Sequence, residues 1–350
     1  MKKIFRIISL VVALLMIVSL VACGGKQEQK ASDNASSQDT KKVEEKKEES
    51  TNKKIVVGFS QIGAESEWRT ANTNSIKKAC EEAGFELKFS DAQQKQENQI
   101  KAIRSFIAQK VDYIVLAPVV ETGWDTVLKE AKDANIPVIL VDRTVKTADG
   151  SEDLWVAWVG EDFYKEGKNL AEWVLKNEEK LGFKDKEVVN VYQLEGTVGS
   201  GAAVDRAKAW ADVMNGTKFK TVKSQTGDFT RAKGQEVMES WLKSDKGNID
   251  LVFAHNDDMA LGAISAIEAA GLKPGEDIKI VSIDGVKGAF EAIIAGKLNA
   301  SQECSPLTGP VLVQTIKDLE AGKEVPKKVY AEEQLFTIEN AAEALPTRQY

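Results

Sequence analysis

Ile136-Pro137-Val138-Ile139-Leu140-Val141-Asp142-Arg143 sets the architecture. Four apolar residues follow Pro137 without a polar interruption, and the run then stops at a carboxylate and a guanidinium. A run this short and β-branched predicts a strand buried on both faces, the habit of a parallel sheet. Pro137 fits the start of such a strand, where a missing N–H costs no ladder bond. Asp142 and Arg143 then stand at the carboxyl edge of the sheet, where open α/β sheets bind ligands. Ile278-Lys279-Ile280-Val281-Ser282-Ile283-Asp284-Gly285 repeats the device, and Leu251-Val252-Phe253-Ala254-His255-Asn256-Asp257-Asp258 is a third case. Three strands that each end in Asp or Asn predict a polar pocket built from strand-end loops.

On both sides of this stretch, strand-like runs alternate with amphipathic helical patterns from Lys54 onward. Strands are expected at 55–60, 85–89 and 113–116, with helices over 67–83, 94–109 and 126–134. The pattern restarts after Leu154 with a strand at 155–159 and a helix over 163–177. Further pairs follow at 188–192 and 203–214, 219–223 and 231–242, 251–254 and 257–270, and 278–283 and 288–295. Each unit is roughly 25 to 30 residues, the size of a βα repeat. Such alternation means α/β architecture with a parallel, doubly wound sheet. Roughly nine units exceed one comfortable open sheet, so two lobes of similar build are expected. The tail beyond Pro306 holds one helix and two short strands, too little for a lobe, and must complete the other two. The expected division is 54–156 plus 304–332 for the N-lobe, and 157–303 plus 333–350 for the C-lobe.

The front of the chain is different in kind. Met1-Lys2-Lys3-Ile4-Phe5-Arg6 is basic, and residues 7–22 are apolar apart from Ser9 and Ser19. That pattern predicts an export signal rather than folded core. Residues 26–52 carry almost no apolar side chains, so nothing offsets the entropy of ordering and a disordered tether is expected. The net charge of −7 offers no basic stripe and argues against a nucleic-acid partner. Cys80 and Cys304 are far apart in sequence and read as buried free thiols. Without Cys-x-x-Cys or a histidine cluster, no metal or other cofactor is indicated.

The candidate chemistry is that of binding. His255 is the sole histidine and is expected to be a hydrogen-bonded structural residue. There is no nucleophile elbow, phosphate loop or zinc-protease motif. Gly196-Thr197-Val198-Gly199-Ser200-Gly201 opens a helix but lacks dinucleotide spacing, so a plain βα turn is expected. Asn256 has a second reading as the cap of the helix from Asp257. Arg206 at a helix start opposes the helix dipole, which favours a ligand role. Trp68 and Arg69 follow the Gly63-Ala64-Glu65-Ser66 loop, and Phe229 lies on another loop. This mixture of Asp, Asn, Arg and Glu with aromatic rings suits sugar hydroxyls, which donate and accept at once. An aromatic side chain takes the apolar face of the ring.

At these residues the chain resembles the type I periplasmic sugar-binding proteins of ABC importers, the ribose-binding-protein class, and within it the galactofuranose binders. The carrying stretches are Val57-Gly58-Phe59-Ser60-Gln61-Ile62-Gly63-Ala64-Glu65-Ser66-Glu67-Trp68-Arg69, Leu194-Glu195-Gly196-Thr197-Val198-Gly199, Gly227-Asp228-Phe229-Thr230, Ala254-His255-Asn256-Asp257-Asp258-Met259 and Ser282-Ile283-Asp284-Gly285. The resemblance implies two Rossmann-like lobes joined by a three-strand hinge, with a monosaccharide in the cleft. It implies ligand contacts from Glu65, Ser66, Trp68, Arg69, Asp142 and Arg143 in one lobe. Arg206, Phe229, Asn256 and Asp284 would supply contacts from the other. Glu303 falls near the hinge where such binders often carry Gln. With Trp68 the single aromatic of the first loop, a more polar specificity such as a furanose is expected.

Leu20-Val21-Ala22-Cys23-Gly24 resembles a bacterial lipobox, which implies cleavage after residue 22 and a lipid on Cys23. A monomer held at the membrane is expected, with permease and ATPase subunits as partners and no catalysis. The alternative is a sensor of the same fold that presents its closed form to a membrane receptor kinase. A sugar-modifying enzyme would need a carboxylate pair across a bond. A repressor would need a basic headpiece that this sequence lacks.

Overall fold

The computed structural model describes residues 54–331 and 333–350. The export signal, Cys23 and the tether expected before Lys54 lie outside the described residues. Among the described residues, no helix is long and apolar enough to cross a membrane.

The first lobe is built from β1 (Val56–Gln61), α1 (Glu67–Glu82), β2 (Glu86–Asp91), α2 (Gln96–Ala108), β3 (Tyr113–Leu116), α3 (Asp125–Asp133), β4 (Val138–Asp142) and β5 (Ala157–Gly160). The second follows with α4 (Phe163–Lys176), β6 (Val189–Glu195), α5 (Gly201–Met214), β7 (Phe219–Thr226), α6 (Arg231–Asp245), β8 (Leu251–Ala254), α7 (Asp257–Ala269), β9 (Lys279–Asp284), α8 (Lys287–Ile294) and β10 (Ala300–Glu303). The tail adds α9 (Gly309–Glu320), β11 (Lys328–Tyr330), β12 (Leu335–Thr337) and α10 (Ala341–Ala344).

The strand orders are β2-β1-β3-β4-β5-β11 and β7-β6-β8-β9-β10-β12. The two lobes therefore share one winding. Every pairing is parallel except β12 on β10. β3 and β4 are buried along their whole length, which is why their sequences are unbroken apolar runs rather than alternating ones. One large apolar cluster fills the second lobe, and two clusters cover the two faces of the first sheet.

The chain crosses between sheets after β5, after β10 and between β11 and β12. By the division expected from sequence, with its boundary at 156/157, β5 falls in the second lobe. It instead pairs with β4, with Ile139 opposite Ala157 and Asp142 opposite Gly160. Trp158 fixes this placement by donating its indole N–H to the Asp142 carbonyl at 2.8 Å. The first crossing thus begins at Glu161, four residues later than the sequence suggested.

Candidate functional site

In this common winding the strand order reverses beside the first strand of each lobe, and loops at the carboxyl edge diverge there to leave a crevice. Asp142 ends β4 and Asp284 ends β9, the fourth strand of each lobe. Both aspartates have positive φ, +60° at Asp142 and +139° at Asp284. At Asp142 the Val141 carbonyl accepts from the Arg143 N–H at 2.7 Å, closing a tight γ-turn of the rare strained kind. Non-glycine residues are held in such conformations only where the surroundings over-determine them, commonly at binding sites. At Asp284 the determinant is Asp257. Its carboxylate accepts from the Gly285 and Val286 N–H groups at 2.7 and 2.9 Å, and from the hydroxyls of Ser301 and Ser282.

One cavity between the lobes is lined by Glu65, Ser66, Trp68, Arg69, Asp142, Arg143, Ala202, Arg206, Phe229, Asn256, Asp284 and Cys304; its space not filled by atoms is about 290 Å³ with open solvent included, of which about 20 Å³ admits the centre of a water-sized sphere. Ten of the eleven sequence candidates therefore meet in one place. Glu303 does not join them. Its carboxylate accepts from Arg348 at 2.6 Å and from the Tyr350 hydroxyl at 3.2 Å. Both of these partners come from the C-terminal tail, which no local pattern around Glu303 announces.

Ser66 caps α1 by accepting the Arg69 N–H at 3.0 Å, so Trp68 and Arg69 sit in the first turn. Arg69 reaches Glu65 at 2.9 Å and Asp142 at 2.5 Å. Burial opposes its charge, but Asp142 and Glu65 more than offset this and hold its pKa above the usual arginine value. Arg143 donates to the Val119 carbonyl at 3.0 Å. Burial, then the neighbouring Arg69, lowers its pKa to about 10. Arg206 lies in the second turn of a helix that begins at Gly201 under a Ser200 cap. The dipole argument from a helix start therefore does not apply to it. Its position comes from Glu166, which accepts at 2.8 and 2.7 Å, and from the His255 carbonyl at 2.7 Å.

Asn256 takes the capping role that was its second reading, and it also lines the cavity. Its Oδ1 caps α7 through the Met259 N–H at 3.0 Å, and its Nδ2 donates to the Phe229 carbonyl at 3.1 Å. Phe229 crosses directly over Gly196, where a Cβ would lie 1.9 Å from the ring. The glycine loop also touches the first lobe, since the Gly199 carbonyl accepts from the Glu121 N–H at 3.0 Å. His255 is buried, and its Nδ1 accepts the Gly196 N–H at 3.3 Å.

The polar lining is only partly satisfied by the protein itself. Glu65 Oε2, Asp142 Oδ2, Asp284 Oδ2 and Arg143 Nε are buried without a hydrogen-bond partner. Asp142 Oδ2 does touch Arg69 at 2.5 Å, so its charge is compensated although the hydrogen-bond geometry is poor. Burial and then Asp257 push the Asp284 carboxyl well above its usual range. Native proteins rarely leave such groups unpaired. Three acceptors and a donor converge between an aromatic ring from each lobe, and the set can hold a small polyhydroxylated molecule.

The chain matches the periplasmic binding protein domain over residues 57–324. It belongs to that family. It is 47% identical to the galactofuranose-binding protein YtfQ of Escherichia coli over 84% of this chain and 92% of that protein. A Mycobacterium smegmatis protein solved with β-D-fucofuranose superposes at a TM-score of 0.80 with 50% identity, covering 85% of this chain and 95% of that one. The periplasmic component of an arabinose ABC transporter from Shewanella sp. ANA-3, bound to α- and β-L-arabinofuranose, gives 0.79 with 46% identity, covering 84% and 96%. The doubled winding is that of the type I periplasmic binding proteins, as the sequence suggested.

The sequence did not flag Cys304 as part of the cavity lining, nor Glu161, Glu166 and Glu333, which lie beyond the cavity wall. In sequence the three glutamates look like ordinary solvated acids. Only the crossing of the chain at the hinge buries Glu161 and Glu166 and half-buries Glu333.

Proposed function

We propose that this chain is the sugar-binding subunit of an ABC importer and takes a monosaccharide in its furanose form. The observation that carries this is the converging set of buried atoms that make no hydrogen bond within the protein, Glu65 Oε2, Asp142 Oδ2, Asp284 Oδ2 and Arg143 Nε, between Trp68 and Phe229. Carboxylates accept from sugar hydroxyls while the guanidinium donates to a sugar oxygen, and charge-assisted bonds of this kind are the strong ones. The two rings take the apolar faces. The furanose assignment is supported by relatives bound to fucofuranose and arabinofuranose.

Ligand favours the closed arrangement because it touches both lobes there and one lobe when the cleft is open. The closed form is what a membrane permease, driven by its ATPase, receives, and the sugar leaves unchanged. A lipid on Cys23 would tether the monomer outside the cytoplasm. An affinity near micromolar, about −8 kcal/mol, suits capture and release. Calorimetry of the purified protein against D-galactose, D-fucose, L-arabinose, D-ribose, D-fructose and D-glucose tests the reading. Heat is expected with the first three, in proportion to their furanose fraction. No heat with any of the six overturns it.

A further inference from the structure

The three crossings between sheets each bring one titratable side chain to a single point. Glu161 follows β5, Cys304 follows β10 and Glu333 precedes β12; Glu166, in the first turn of α4, is the fourth. The Glu166 and Glu333 carboxylates and the Cys304 sulfur have atoms within 4.8 Å of one another. Glu161 and Glu166 have no solvent exposure. Both oxygens of Glu161, and Oε1 of Glu166 and of Glu333, find no hydrogen-bond partner among the described residues. The guanidinium in contact with the cluster is Arg206, on Glu166 Oε2 at 2.7 Å.

Two fully buried carboxyl groups and a half-buried third, served by one guanidinium, do not all stay ionised, because burial and like charge both favour the neutral acid. Protons resolve the arrangement. The Glu333 carboxyl and the Cys304 thiol stand close enough to Glu166 for a proton on either to be shared with it, and a proton on Glu161 would remove its buried charge. A metal ion would resolve it less well, because Arg206 already neutralises Glu166 and repels a second cation.

We propose that this hinge cluster is a proton-binding site whose occupancy is coupled to closure of the cleft, Glu161 and Glu333 taking protons from solvent as the lobes come together. The inference rests on the reading of the cleft as a closing sugar site. Glu161 follows β5, which pairs with the strand that ends in Asp142, whereas Glu166, Arg206 and Asp284 belong to the second lobe. Closure therefore sets carboxylate against carboxylate. The groups acting on Glu161 are Asp142, Glu166, Arg206 and Arg69. Those acting on Glu333 are Glu166, Glu161 and Arg206. Cys304 faces Glu166, Glu161, Arg206 and Glu333, and Glu166 faces Arg206, Cys304 and Glu333. Burial first, and then the neighbouring carboxylates, pushes Glu161, Glu333 and Cys304 upward.

The sign follows from linkage. An acid whose pKa is higher in the closed form favours closure at low pH, and that help is lost as pH rises toward the closed-form value. The closing constant then falls by up to about tenfold per pH unit for each proton taken up.

Two measurements on the purified protein decide it. Infrared spectra without sugar should show a protonated-carboxyl band that grows from pH 9 to pH 6 and is weaker in both Glu161→Gln and Glu333→Gln. X-ray scattering should show the sugar-free protein growing more compact from pH 9 to pH 6, with the response flattened in either variant. Calorimetry with D-galactose in phosphate and Tris adds an uptake of about one to two protons on binding. Glu333→Gln alone carries the test if Glu161→Gln misfolds. No growth of the acid band between pH 9 and pH 6, a pH-independent scattering profile, or stoichiometric zinc in the purified protein overturns the proposal. Absence of heat with the sugar counts against the sugar reading, and the infrared and scattering results still decide this one.

Discussion

Trp68 donates its indole N–H to the Cys304 carbonyl at 2.6 Å. The donor stands in the first turn of a first-lobe helix, and the acceptor is the first residue of the second crossing. Trp68 also packs inside the second lobe's apolar cluster. The hinge itself therefore aims the ring that lines the cavity. Trp68→Phe keeps a ring but loses the anchor, worth about 1 kcal/mol, and should weaken sugar binding about fivefold. Trp68→Ala loses the ring as well, about 2 kcal/mol more by area, for a total beyond a hundredfold. Titration calorimetry reads both. Equal affinity of Trp68→Phe and wild type would show that the anchor does not matter.

Asp142 compensates Arg69 and is the central residue of the strained turn at the end of β4. Replacement by Ala or Asn removes a charge-assisted acceptor and leaves Arg69 with Glu65 as its remaining carboxylate partner. Affinity should fall by about 2 kcal/mol, roughly thirtyfold. The buried cation left behind should also lower stability by about 3 kcal/mol, visible in urea unfolding. Unchanged affinity in both variants would take Asp142 out of the site.

Gly196 matters for what lies above it. Gly196→Ala sets a methyl 1.9 Å from the Phe229 ring, so the ring must leave the cavity wall. Binding should drop at least tenfold and the melting temperature should fall. Adding Phe229→Ala should restore the melting temperature without restoring binding. A double variant no more stable than Gly196→Ala would show that the clash is not what the glycine avoids.

The rim has its own latch. Across the lobes, Glu67 donates its backbone N–H to Asp258 at 2.7 Å, and Arg231 bridges Asp258 at 2.9 Å and Glu67 at 3.2 Å. Arg231 is 45% exposed, so the bridge is screened and weak. Arg231→Ala should speed sugar release a few-fold in stopped flow with little change in capture rate. High salt should erase the difference. A slower capture rate instead would place Arg231 in steering rather than latching.

The legible parts of this molecule are those where burial writes itself into a local pattern. β4 is readable because both faces of a central parallel strand are covered, and its end marks Asp142; β9 does the same for Asp284. β10 escaped notice because Ala300-Ser301-Gln302-Glu303 is polar although all four residues are buried. Its partners, β9 and β12, come from segments on either side in sequence. Glu161, Glu166 and Glu333 escaped for the same reason: their burial is a property of three chain crossings. The tail diverts Glu303 to Arg348, which a reading of residues near 303 alone does not reveal.

His255 gives the clearest pH test. It is fully buried, its Nδ1 accepts from Gly196, and its carbonyl receives Arg206. Burial first, then Arg206, lowers its pKa to about 3. The unfolded chain binds this proton near pH 6.5 and the folded one does not. The resulting stability is complete above pH 6.5 and is lost as pH falls toward 3, by about 1.4 kcal/mol per unit. Asp257 works in the opposite direction, since burial raises its carboxyl to about 6 and the folded form gains protons first. The wild-type curve alone therefore hides the histidine. Subtracting the urea-unfolding curve of His255→Gln should expose a slope worth about 2 kcal/mol between pH 6.5 and 5. Parallel curves for the two proteins would mean that His255 is already charged in the folded state, contradicting its contacts with Gly196 and Arg206.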